Sequence, residues 1–128
     1  MKTSRLFVLL LLCLASTVAA AGSFSAVIVS IDRAHSIATG SLTGARLNPG
    51  QEFIRCSVTM QSITRGIRNS GSCSARDKGG IVASCSTFEP ALLLAIQAIG
   101  PASEVRFGFD TANQCTFIAV VQASSNLE

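Results

Sequence analysis

The sequence predicts an α+β domain: a small antiparallel sheet of about five to seven strands, one late α-helix over residues 88–99, and two disulfides as staples. Three observations carry this expectation. Several short stretches alternate apolar and polar residues, the period of a half-buried strand. One segment, Ala91 to Ile99, is built of good helix formers and is closed by Gly100 and Pro101, which end helices. Four cysteines, Cys56, Cys73, Cys85 and Cys115, lie beyond the N-terminal region.

The elements follow in order. Residues 1–21 read as a secretory signal peptide: Lys2 and Arg5 precede the apolar run Leu6 to Ala20, and small residues allow cleavage after Ala20 or Ala21. That run falls short of the roughly 20 apolar residues a membrane span needs, so no span is expected after cleavage. Leu12 stands where a lipidated cysteine at Cys13 needs a small residue, which argues against an anchor there. Residues 22–128 then form a single exported domain, periplasmic or extracellular. "SFSAVIVSID" from Ser23 reads as a first strand, with Phe24, Ala26, Ile28 and Ser30 on one face. The stretch from Arg33 to Gln51 is either a short edge strand around Ile37 to Ser41 or a loop ending in the Asn-Pro-Gly turn.

Glu52 to Gln61 alternates cleanly, directing Ile54, Cys56, Val58 and Met60 inward and Phe53, Arg55, Ser57 and Thr59 outward. "SITRGIRNSGS" follows as an exposed connection carrying Arg65 and Arg68. Ser72 to Arg76 and Ile81 to Ser86 read as two short strands around Asp77-Lys78-Gly79-Gly80, where glycine supplies the backbone angle of a hairpin turn. Ser86-Thr87-Phe88-Glu89 has capping-box spacing, and Pro90 suits a first helical turn. The helix is apolar almost all round, which normally means burial, so loops are expected over its Leu93, Leu94 and Gln97 side. Glu104 to Asp110 puts Val105, Phe107 and Phe109 inward, Asp110 to Gln114 turns, and Cys115 to Gln122 closes the sheet. The tail "ASSNLE" is expected to fray.

In an oxidising compartment the four cysteines read as two disulfides. Their spacings contain no short pair of the kind that makes a zinc knuckle, so no metal is expected. Three connectivities are open. A turn at Gly79 would set Cys73 against Cys85 across a hairpin; the preferred alternative joins Cys56 to Cys73 and Cys85 to Cys115, linking successive strands.

Charge excludes one class of partner. Setting aside Lys2 and Arg5 leaves the basic and acidic residues nearly balanced, which is no nucleic-acid binder. Catalysis has little to work with. His35 is the one histidine, beside Asp32 and Arg33, and no G-x-S-x-G elbow surrounds any serine. Among the carboxylates, Asp77 and Asp110 suit turns and Glu89 a helix start, so no catalytic pair and no cofactor is expected. Trp and Tyr are absent, which removes the usual sugar-stacking platforms, and Phe53 on its outward face is expected to pack under the helix. Arg65, Arg68, Arg76 and Lys78 cluster around two glycine-containing turns; arginine forks match carboxylate and phosphate geometry, so these four are the candidate contact for a protein partner or a small anionic ligand.

"CSARDKGGIVASC" with the following "VRFGFD" and "NQCTFIAVV" resembles the core of small exported bacterial proteins of uncharacterised function that share the cysteine, Ala-Arg-Asp, glycine, cysteine order. The resemblance covers about the last two thirds of the mature chain. It implies two disulfides and export from a bacterial cell, and it brings no catalytic residues; the absence of an N-x-S/T sequon agrees with it. The expected function is a non-enzymatic binding or accessory module. The alternatives are a secreted hydrolase inhibitor inserting a rigid loop such as Ser62 to Ser70, and then a small hydrolase using His35.

Overall fold

The computed structural model describes residues 27–47 and 50–122. The expected signal peptide and its cleavage site, Phe24 and Ala26 of the first expected strand, the Asn48-Pro49 pair and the tail lie outside the described residues. The elements run β1 (Ser30–Asp32), β2 (Ile37–Ser41), α1 (Leu42–Leu47), β3 (Phe53–Ile63), β4 (Gly66–Arg76), β5 (Val82–Thr87), α2 (Pro90–Gln97), β6 (Glu104–Phe109) and β7 (Cys115–Val121).

Among the described residues seven strands form two antiparallel sheets, one in the order β1-β2-β6-β7 and one in the order β3-β4-β5. Each sheet turns one face to a shared core. Ala38, Val105 and Phe107 come from the first; Ile54, Cys73, Ala75, Ala83 and Cys85 come from the second, and Ile96 of α2 joins them. Among the described residues Phe107 is the largest fully buried side chain, and the buried residues of β4 and β5 are small, so a bulky side chain of one sheet meets a thin face of the other. The Arg33 guanidinium, on the β1–β2 turn, reaches the other sheet by donating to the Val82 carbonyl at 3.1 Å.

Both disulfides take the preferred pairing. Cys56 bonds Cys73 with Cα atoms 4.0 Å apart, and Cys85 bonds Cys115 with Cα atoms 4.9 Å apart. The first joins neighbouring strands within the three-stranded sheet. The second joins the two sheets, beside the Ser86 amide donating to the Asn113 carbonyl at 2.9 Å.

Four expectations change. β2 is an interior strand, paired with both β1 and β6, because the strand after α2 returns to its far side. The segment after it holds the unexpected helix α1, whose entry is fixed by the Ser41 hydroxyl accepting the Gly44 amide at 2.8 Å. "SITRGIRNSGS" is no loose connection: β3 and β4 pair without a break from Phe53↔Arg76 to Ile63↔Gly66, turning in the two residues Thr64-Arg65. The late helix is shorter than the expected 88–99, running from Pro90 to Gln97 with Ala98 as its C-cap, and the expected capping box does not form because Ser86 and Thr87 belong to β5. Glu89 is its N-cap without a side-chain bond, and its amide donates instead to the Thr87 hydroxyl at 3.0 Å.

α2 lies on the core-facing side of β4. A side chain at Gly71 would meet Ile96 Cδ1 at 2.7 Å and Leu93 Cδ2 at 2.8 Å, so this glycine is the seat of the helix. Leu93 and Ile96 are buried there, while Leu94 stays 67% exposed and Gln97 is exposed. The expected cover over the Leu93, Leu94 and Gln97 side therefore reaches Leu93 only.

Candidate functional site

The β3–β4 ribbon outruns the layer that covers it. β5 pairs with β4 only from Gly71 to Arg76, and α2 sits at Gly71. Beyond these, Thr59 to Asn69 is exposed at every residue. Met60, expected inward, is 63% exposed, and Ile67 reaches 75%. The alternation of β3 assigns Met60 to the correct face, but no opposing layer extends that far. The result is a two-stranded arm whose base is tied by the Cys56–Cys73 bridge and whose tip is Thr64-Arg65, followed by Gly66 at φ 134°, a conformation that favours glycine.

The four candidate cations fall at opposite ends of this ribbon. Arg65 is on the tip. Arg68 lies beside it, its guanidinium 4.5 Å from the centroid of the Phe88 ring. Arg76 ends β4, eight positions from Arg68 or about 27 Å at strand rise, and Lys78 sits in the turn beyond it. Arg76 Nε is buried with no hydrogen-bond partner among the described residues. The β4–β5 turn itself is well tied: the Ile81 amide donates to the Asp77 carboxylate at 2.9 Å, and Gly80 has φ 82°. Phe53 lies on the outward face of β3 in line with Arg76, with Arg55 over its ring at 5.3 Å, and not beneath α2.

Sequence reading missed the apolar part of the arm, Met60, Ile63 and Ile67, and the Phe88 platform under Arg68. A usable signal was present. From Phe53 to Arg76 the chain carries Arg55, Arg65, Arg68 and Arg76 and no acidic residue, and Thr64-Arg65-Gly66 has the length of a tight hairpin turn.

His35 has a defined partner. Its Nδ1 lies 2.6 Å from Asp32 Oδ2, and its amide donates to Asp32 Oδ1 at 3.2 Å. These two bonds hold the Asp32 carboxyl below the usual aspartate range. The pair borders an open depression of about 310 Å³ lined by Ser30, Asp32, His35, Ile37, Thr39 and Arg106. Both side chains are largely exposed, 74% for His35 and 51% for Asp32, so water screens the interaction. Among the described residues the hydrogen-bond partner of the ring is Asp32.

Compared with protein-family models, curated proteins and solved structures, the chain matches none of them.

Proposed function

We propose that the protein is an exported, disulfide-stapled, non-enzymatic binding or accessory module that meets a protein partner through the β3–β4 arm. One observation carries this reading: a ribbon stapled at its base presents Met60 and Ile67 on one face and Ile63 and Arg68 on the other, the three apolar residues 48 to 75% exposed, with Arg65 at its tip. Exposed apolar side chains grouped with arginine are the composition of contact surfaces. Two disulfides are compatible with an oxidising compartment outside the cytoplasm.

The test places a photo-crosslinking residue at Ile67, with a control at Ala119, which is exposed on the other sheet. The expected result is an adduct of one discrete mass at Ile67 alone, lost in an Arg65→Ala/Arg68→Ala variant whose disulfides and melting temperature are unchanged. Equal adducts at both positions, or an adduct indifferent to the arginines, would defeat the reading.

A second reading is favoured by the shape of the arm. A stapled hairpin tip covering Ser62 to Ser70 suits insertion into the cleft of a hydrolase, as a secreted inhibitor does. In that case the crosslinked partner is a hydrolase, and its turnover falls on adding the protein. At the other end of β4, Arg76 and Lys78 remain the place for a small anionic ligand.

A further inference from the structure

We infer that the outer edge of β3 binds an extended, acidic segment of another protein as an added strand. This rests on the reading of the arm as the partner surface, and it names how the arm binds and what it takes.

β3 is an edge strand: the order of its sheet is β3-β4-β5, and among the described residues no strand lies on its other side. Exposed edges are normally protected by charged side chains, proline, a bulge, short length or a covering element. β3 carries Arg55 and is met by α1, but it has none of these devices from Thr59 to Ile63, where every residue is exposed. It is 11 residues long, contains no Lys or Pro, and pairs with β4 at every position from Phe53 to Ile63 without a register shift.

The phase of the ladder says which backbone groups are available. In an antiparallel pair, close Cα atoms mark a pair that exchanges no backbone hydrogen bonds, and such pairs alternate with bonded ones. Cys56 and Cys73, 4.0 Å apart, are of the close kind. Ile63↔Gly66 closes a two-residue turn and is of the bonded kind, so both ends of β3 give the same phase. Thr59 and Gln61 thus exchange hydrogen bonds with β4, whereas Met60 and Ser62 direct their N–H and C=O groups to the free edge.

Free N–H and C=O groups in strand phase recognise an extended backbone, and the side chains beside them set selectivity. The charge is one-sided, since the ribbon carries Arg55, Arg65, Arg68 and Arg76 with no acidic residue. Arg55 lies on β3 and Arg65 at the tip, while Arg68 and Arg76 lie on β4, so an acidic strand laid along β3 meets positive charge at both ends of the edge and no carboxylate to repel it.

The probe is a short peptide of alternating valine and glutamate, titrated into the folded, oxidised chain and followed by amide exchange. Protection is expected to rise at Met60 and Ser62 and stay level at Thr59 and Gln61. Methylating the edge-facing amides of the peptide is expected to weaken binding roughly tenfold or more. Met60→Pro removes one edge donor without removing a bond to β4, so it is expected to do the same, while Met60→Thr leaves binding in place. A valine–lysine peptide that binds as well, equal protection at all four amides, or an undiminished N-methylated peptide overturns the proposal. So does docking of the arm on phosphatidylglycerol vesicles with no change at the edge amides. If the acidic strand does not bind while the Ile67 adduct persists, strand addition is wrong and the arm remains an interface; if the adduct is also missing, the interface reading falls with it.

Discussion

The two halves of the β3–β4 ribbon share one ladder and one register, yet they occupy different environments. Near the body, Ile54 is 3% exposed, Cys73 1% and Ala75 0%. Toward the tip, on the same face by alternation, Met60 is 63% exposed and Ile67 75%. Hydrogen bonding between strands is continuous through both, so the difference comes from their surroundings: β5 flanks the base within the sheet, α2 and the opposite sheet cover it, and all three stop short of the tip. Strand pairing sets the shape of this ribbon, and side-chain burial decides which part of it holds the fold together.

Truncation at matched positions breaks that comparison most directly. Ile54→Ala is expected to cost about 2 to 5 kcal/mol, the usual range for a buried aliphatic side chain, while Met60→Ala is expected to stay within about 0.5 kcal/mol. Chemical denaturation of both variants checks this, and similar losses would mean that the arm is covered in solution. The next effect is at the boundary. Gly71→Val drives a side chain into Ile96 and Leu93, and overpacking of this kind costs about 1 to 3 kcal/mol, visible as lost protection in α2 before the rest of the domain.

Smaller again is Phe88→Ala. It removes the ring under Arg68, a partly exposed cation–π contact worth about 0.5 to 1 kcal/mol. Its sharper readout is local, as Arg68 side-chain resonances should lose their ring-current shift while the ladder stays intact. The smallest change lies far from the arm. Without the imidazole of His35, the Asp32 carboxyl loses the side-chain bond that is the larger cause of its lowering and keeps the bond from the residue-35 amide, so His35→Ala raises its titration part of the way toward the ordinary aspartate range. The sign follows from linkage: a lowered folded-state pKa contributes stability above the unfolded value and loses it as pH falls through the folded one. For so exposed a pair the carboxyl resonance is the measurable quantity, and a titration unmoved by the substitution would show that the pair does not form.

Much of the fold could be read from the chain because the responsible patterns are local. The alternation in "EFIRCSVTMQ", "EVRFGF" and "CTFIAVV" locates β3, β6 and β7, and Asp77 to Gly80 marks the β4–β5 turn. Other features depend on distant neighbours. Gly44 reads as a helix breaker, yet it stands inside α1, where a Cβ would meet the Ser41 hydroxyl and the Val27 carbonyl at 2.5 Å. The serines and Gly66 of residues 62–70 look like loop punctuation until β3 and β4 are paired. Exposure of Arg65 and Arg68 was legible in the polar context around them. Their separation from Arg76 and Lys78 was not, since it follows from β4 running as one unbroken strand between the two groups.

The cysteines add a consequence for maturation. Cys56, Cys73 and Cys85 occupy one rung across three strands, with Cys73 opposite both of the others. Within that sheet a Cys73–Cys85 bond closes a shorter loop than either native bridge, and shorter loops close at lower entropic cost. Local pairing therefore does not select the correct partner for Cys73. Selection comes from Cys115, which reaches Cys85 only when β7 has docked with its sheet against β5. Correct oxidation of Cys85 with Cys115 thus requires that the two sheets have met.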